Sequence, residues 1–273
     1  MADKNAVSLG NRLNRTLAQA KSALFEKGEQ AQLTYGAFDS AIRTVMAEKQ
    51  DKFEYTYPVG YRPNRTTIDS SISYTKEELL GKYHSLANLQ LPINFLVHLV
   101  TIVETMFGDI IRDIVIQYPK KLGAKRTVTF EDVIHATSIE EIQLRVTDLF
   151  LNELSYKSPT EFSEALKSLL SINLLECPAF HKYIEMKASR DIFIHNRGIT
   201  NDIYIRKAGS HARAKVKQGL PADNQYFLES YESCLQLTEW LEEKLNEHWP
   251  SSELEEREKK PIENPQVQPV KLA

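Results

Sequence analysis

A helical apolar repeat over residues 92–119 sets the terms on which this chain can fold. Phe95, Leu99, Ile102, Met106, Ile110, Ile114 and Val115 return at three- and four-residue intervals, the period that lines up one side of an α-helix. Pro92 opens the stretch, where a missing amide does no harm, and Pro119 closes it. A helix this apolar needs neighbours to cover it, so the pattern predicts the central helix of a bundle. Other segments agree. Leu9, Leu13, Leu17, Ala20 and Leu24 share one spacing, and Ala31, Tyr35, Phe38, Ile42 and Val45 share another, which suggests two N-terminal helices broken near Gly28. Capping boxes are expected at Thr75 with Glu78, Ser138 with Glu141, and Ser158 with Glu161. The first opens a short helix to about residue 89. Cys177-Pro178 starts a helix with Phe180, Ile184, Ala188 and Ile192 on one stripe and an end near Gly198. Asp223 caps a long last helix carrying Phe227, Tyr231, Cys234, Leu241 and Leu245. The exception is 53–61, where aromatic residues alternate with polar ones around Pro58 and Gly60. That reads as an extended segment or hairpin with a polar loop to residue 73. The prediction is an all-α protein. An added, mostly helical segment spans 1–90, a bundle spans 91–249, and a flexible tail with Pro250, Pro261, Pro265 and Pro269 spans 250–273.

Composition removes several function classes. Lys plus Arg number 34 and Asp plus Glu 37, a net charge of -3, which excludes a general nucleic-acid coat. The two cysteines, Cys177 and Cys234, have neither metal spacing nor partners for a disulfide framework. The N-terminus leads into no apolar run, and residues 91–103, the most apolar stretch, are too short and polar to cross a membrane. A cytoplasmic setting without membrane contact is expected. No phosphate loop, dinucleotide fingerprint or nucleophile elbow is present, and no cofactor or metal is expected.

The richest segment chemically is 188–204, which places Arg190, Asp191, His195, Asn196 and Arg197 near one helix end. Asp191 and His195, four residues apart, lie about 40° apart on a helix, so the carboxylate can orient the imidazole. Arg190 and His195, five apart, are separated by about 140°. Either the helix loosens there or a second copy of the chain supplies the missing partner. Arginine grips phosphate with paired donors, and histidine moves protons near neutral pH. Together they suit RNA cleavage by the ribose 2′-hydroxyl. The same residues also suit a plain helix C-terminus, with cations capping the last carbonyls.

Arg190-Asp191-Ile192-Phe193-Ile194-His195 resembles the Arg-x4–6-His motif of HEPN domains, with a polar residue directly after the arginine. The following Asn196-Arg197-Gly198, Tyr204, the upstream residues 154–162 and the helix around Glu104 are similar to bacterial relatives of the RiboL-PSP-HEPN type. The resemblance covers roughly 91–249. It implies a helical bundle that dimerises through the motif helices, and a metal-independent endoribonuclease of toxin–antitoxin or anti-phage defence systems. Arg190 would hold the phosphate, His195 would act as general acid or base, and Asp191 would support them. RNA, a second copy, and an antitoxin or defence partner are the implied partners. Some HEPN toxins paired with a nucleotidyltransferase antitoxin carry a tyrosine two residues after the histidine. Arg197 stands there in this chain, which departs from that pattern. The alternative is a non-catalytic HEPN interaction or nucleotide-binding module.

Charge is unevenly spread. Residues 182–217 hold nine Lys or Arg against three acids, a local +6, whereas 242–263 hold eight Glu against four basic residues, a local -4. The basic stretch suits a phosphate backbone, with Asn196, Arg197, Arg206 and Lys207 as candidate substrate contacts, or a solvated connector over 199–221. The aromatic run 53–61 reads as the cover of an apolar face, with stacking on bases as the other reading. His98 reads as a packed residue of the central helix. Glu104 on that helix can reach the motif helix or form a salt bridge at the core edge.

Overall fold

The computed structural model describes residues 4–123 and 127–252, and the chain is predominantly helical, as its apolar periods require. Helix α1 (Lys4–Ala47) runs into a two-stranded antiparallel hairpin, β1 (Lys52–Tyr61) and β2 (Thr67–Thr75). Helix α2 (Lys76–Ser85) continues through a π-turn (Leu86–Gln90) into α3 (Leu91–Gln117). Short α4 (Phe130–His135), then α5 (Ile139–Ser155) and α6 (Pro159–Leu170) follow. The motif helix α7 (Pro178–His195), short α8 (Asp202–Ala208) and α9 (Asn224–His248) complete the described chain.

Helix α3 is central. It packs against α1, α5, α6, α7 and α9, and its buried side chains include Phe95, Leu99, Val103, Ile110 and Ile114. Each such side chain contributes about 1.5–3 kcal/mol on leaving water. Leu9, Leu13, Leu17 and Leu24 of α1 enter the same core. Arg12 pins α1 to α3 through Asp113 at 3.1 Å, and Lys21 pins it to α9 through Glu242 at 2.7 Å. A second, smaller core joins Ala188, Ile192, Tyr204, Ala208 and Leu220 beneath the end of α7.

Several expectations need correction. Gly28 breaks no helix, because α1 runs through it unbroken. A β-carbon there would lie 2.7 Å from the Tyr231 hydroxyl, so the glycine allows close approach of α9. The residues expected to form a polar loop to 73 are largely strand β2, since Ile68, Ile72 and Tyr74 continue the alternation opposite β1. The aromatic run covers no apolar face: Tyr55, Tyr57, Val59 and Tyr61 are exposed on a projecting hairpin. His98 is exposed. Thr75 and Ser158 form complete capping boxes. Ser138 accepts from the Glu141 amide, but the Glu141 carboxylate takes the Thr137 amide and hydroxyl instead. Thr129 and Asp132 make an unforeseen box at α4.

The stretch 199–221 is no loose connector. Ile199 bridges Gly219, and buried Thr200 exchanges backbone bonds with Lys217 and Gln218 at 2.9 Å. Helix length also changes the membrane reading. Because α2 runs into α3, Lys76–Gln117 is one helix of 42 residues, with an 18-residue window of mean hydropathy 1.6. By length and composition alone it passes as a membrane span. In the fold its apolar side forms the bundle core. Of the expected flexible tail, residues 250–252 pack against α1 and α9, with Ser251 buried and bonded to Asn11 and Asn246, and the rest, from 253 onward, lies outside the described residues.

Candidate active site

Helix α7 carries the Arg–His motif at its C-terminal end. Pro178 fixes its start, and it stays α-helical to His195. The Asn196 and Gly198 amides both donate to the Ile192 carbonyl, while Arg197 and Gly198 turn the chain away with φ of 51° and 76°. The helix therefore does not loosen between Arg190 and His195, and the angular separation read from the sequence stands. Both residues nevertheless border one open cleft of about 460 Å³ between α7 and α8. Glu104, Tyr156, Lys187, Asp191, Asn196 and Lys207 complete its polar wall.

Charge pairing organises this wall. The Arg190 Nη2 donates to Glu104 Oε1 at 2.9 Å, and Lys187 Nζ lies 3.0 Å from the same oxygen. Arg190 Nε sits 3.0 Å from Asp191 Oδ1, off line for a hydrogen bond. Lys207 Nζ donates to Asp191 Oδ2 at 3.3 Å. Three cations thus share two carboxylates, and the side chains involved keep between 12% and 33% of their surface exposed. The cations are largely buried and the carboxylates keep about a third of their surface, so an entering phosphate can take the place of the carboxylates as the partner of cations that are already desolvated.

The expected pairing of Asp191 with His195 is not made. Asp191 turns to Arg190 and Lys207. His195 is exposed and has no side-chain hydrogen bond among the described residues. Asn196 Nδ2 donates to the Ile199 carbonyl at the cleft edge. Arg197 and Arg206, expected as substrate contacts, are exposed and do not line the cleft, whereas Asn196 and Lys207 do. Ile194 is half exposed, and Ile199 and Ile203 are exposed as well.

Behind the motif, on the opposite side of α7, lies an arrangement the sequence reading missed. Glu185 is buried and accepts four side-chain bonds. Ser189 at 2.5 Å, Tyr204 at 3.0 Å and Arg213 Nε at 3.0 Å use one oxygen, and Tyr226 at 2.8 Å uses the other. The Arg213 guanidinium lies flat on Tyr226, 3.4 Å from the ring centre, and Nη2 donates to Ser189 at 3.1 Å. Burial, then the Glu185 charge, pushes the Tyr226 phenol up. Burial also leads for Tyr204, which Glu185 raises further against an opposing bond from the Arg213 amide. A charged residue inside an otherwise apolar helical stripe was the signal. So the +6 stretch divides by role. Arg213 is structural, Lys182 pairs with Glu229 at 2.9 Å, and Lys187, Arg190 and Lys207 face the cleft. Among the described residues, no group of three or more His, Cys, Asp or Glu is placed to hold a metal ion.

No protein-family model, curated protein or solved structure matches the chain, so the site is interpreted from its own residues.

Proposed function

We propose that this protein is a metal-independent endoribonuclease of HEPN type, acting in the cytoplasm as a toxin or anti-phage effector. The observation that carries the reading is the convergence of Arg190, Lys187, Lys207 and His195 on one cleft. An RNA phosphate entering there displaces Glu104 and Asp191 from the cations and takes paired bonds from the Arg190 guanidinium. A ribose 2′-oxygen attacks the adjacent phosphorus, and the 5′-oxygen leaves. The product strand ends in a 2′,3′-cyclic phosphate. His195 takes the 2′-hydroxyl proton or delivers one to the leaving oxygen. One protomer brings one such histidine to its cleft. A second copy brings the other, and exposed Ile194, Ile199 and Ile203 beside the motif offer the apolar surface for that contact.

The test is incubation of the protein and its His195→Ala variant with total RNA, with and without EDTA. Cleavage is expected in EDTA and should fall by about 10²–10⁴-fold in the variant. The exposed position of His195 predicts an unchanged thermal midpoint. Full cleavage by the variant, or a metal requirement, overturns the mechanism.

A second reading has one observation in its favour. Glu104 and Asp191 already occupy the cations, as in a module that binds nucleotides or partners without turnover. No cleavage in that experiment, with RNA binding by the wild type in a fluorescence-anisotropy titration, would select it.

A further inference from the structure

The motif cleft has a neighbour at its Glu104 edge. Glu104 and Lys187 stand between it and a second cavity of about 320 Å³, and they line both. The second cavity differs in chemistry. Its floor is Phe107, Phe162 and Tyr183, all buried. Phe107 meets Phe162 edge-on at 5.7 Å and lies 6.0 Å from Tyr183. Burial, reinforced by the Glu104 charge, holds the Tyr183 phenol far above its ordinary range, so the floor is neutral. Lys187 Nζ is 5.8 Å above the Phe162 ring while it pairs with Glu104. Gly108 keeps the wall open: a β-carbon there would lie 3.2 Å from Arg112 Nη1 and 3.7 Å from Leu151 Cδ1.

We infer that this second cavity is the nucleobase subsite of the RNA-binding cleft, taking one unpaired base of the strand whose phosphate lies against Arg190. The inference rests on the RNA reading above and adds what that reading lacks, a place for the base. The three rings are themselves nearly covered, so a base there is held by apolar contact with this floor and with Leu151 and not by stacking on an open ring face. The polar edge of the base then meets the septum, where the Glu104 carboxylate accepts from ring or exocyclic N–H groups and Lys187 donates to a carbonyl oxygen. The adjoining cavities match the alternation of a nucleotide, an anionic phosphate beside a largely apolar base. Their two shared residues set them side by side, on either face of the Glu104–Lys187 pair.

The test measures binding of short, labelled single-stranded RNA by fluorescence anisotropy at fixed salt, with 2′-O-methyl groups to block cleavage. One strand carries bases, and a matched strand is abasic with the same phosphates. The wild type should bind the abasic strand about tenfold more weakly. Gly108→Leu fills the cavity, and Thr105→Tyr, at an exposed rim position, covers its mouth without entering the core. Each should lower affinity for the base-bearing strand to that for the abasic strand and leave the abasic strand unaffected. Equal wild-type affinity for both strands overturns the base subsite and leaves the phosphate cleft standing. Variants that weaken both strands alike also overturn it. Binding of neither strand overturns the RNA reading and the subsite together.

Discussion

Helix α7 presents two charged faces that the same stretch of sequence supplies, and they behave differently. On one, Glu185 is buried and holds four side-chain donors, with Arg213 stacked on Tyr226 beside it. On the other, Arg190, Lys187 and Lys207 divide two partly exposed carboxylates among them. The buried face has no capacity left for a ligand, and its charges fix the shape of the segment 199–221. The open face keeps its charges in contacts that a stronger anion can replace. Counting basic residues would rank Arg213 with Arg190. What each one already holds separates scaffold from site.

The sharpest way to break this comparison is Glu185→Ala. It leaves Arg213 uncompensated and removes the acceptor for both phenols, so a loss of about 3–5 kcal/mol in urea unfolding is expected. Glu185→Gln keeps the shape and should lose less. A loss under about 1 kcal/mol for the alanine variant would mean the network contributes little. Alkaline pH probes the same face more gently. Tyr204 and Tyr226 stay protonated above their ordinary 10.0 in the fold, whereas the unfolded chain releases those protons near pH 10. The folded state then binds more protons at these two phenols, so their contribution to stability is constant below about pH 10 and falls as pH rises beyond it. Tyr226→Phe should flatten that fall in urea midpoints measured across the alkaline range. The smallest effect on stability belongs to the open face. Glu104→Gln should cost about 1 kcal/mol of unfolding free energy, yet tighten binding of the abasic strand, which makes no demand on the base contacts, severalfold by releasing Arg190 and Lys187. Weaker binding would show that Glu104 positions these cations instead of masking them.

Local chemistry was the most legible part of the sequence. Thr75, Ser158 and Asp223 cap helices as read, because a cap depends on residues within one turn. On α3, Phe95, Leu99, Met106, Ile110, Ile114 and Val115 are buried as their period implies and Ile102 only partly, while Leu96, Val100, Val103, Phe107 and Ile111 widen the buried side beyond the named stripe. Gly28 misled because its role is set by Tyr231, some 200 residues away, and no local pattern reports a close approach of that kind. The aromatic hairpin misled because alternation specifies a strand but not what covers it. At the site, Arg190 and His195 were legible as a pair of residue types. The partners of Asp191 depended on Lys207, which the turn at Arg197 and Gly198 carries back over the helix end. Lys187 was missed, although it sits one helical turn before Arg190 on the same side.

The opposite ends of the described chain touch. A β-carbon on Gly10 would fall 2.3 Å from the Trp249 carbonyl oxygen, and the Ser251 hydroxyl bonds Asn11 at 3.0 Å across 240 positions. Joining two points so far apart in a free chain carries a loop-closure entropy that grows with the logarithm of the loop. From a loop of about 12 residues to one of about 240, the added cost is roughly 2.6 kcal/mol. Arg12 already binds Asp113 on α3, and Lys21 already binds Glu242 on α9. With those contacts made, the remaining loop shrinks to a few turns of helix. The clasp at Gly10 is therefore cheap to close on an assembled bundle and costly on an extended chain, which makes it a seal on the fold and a poor starting point for it.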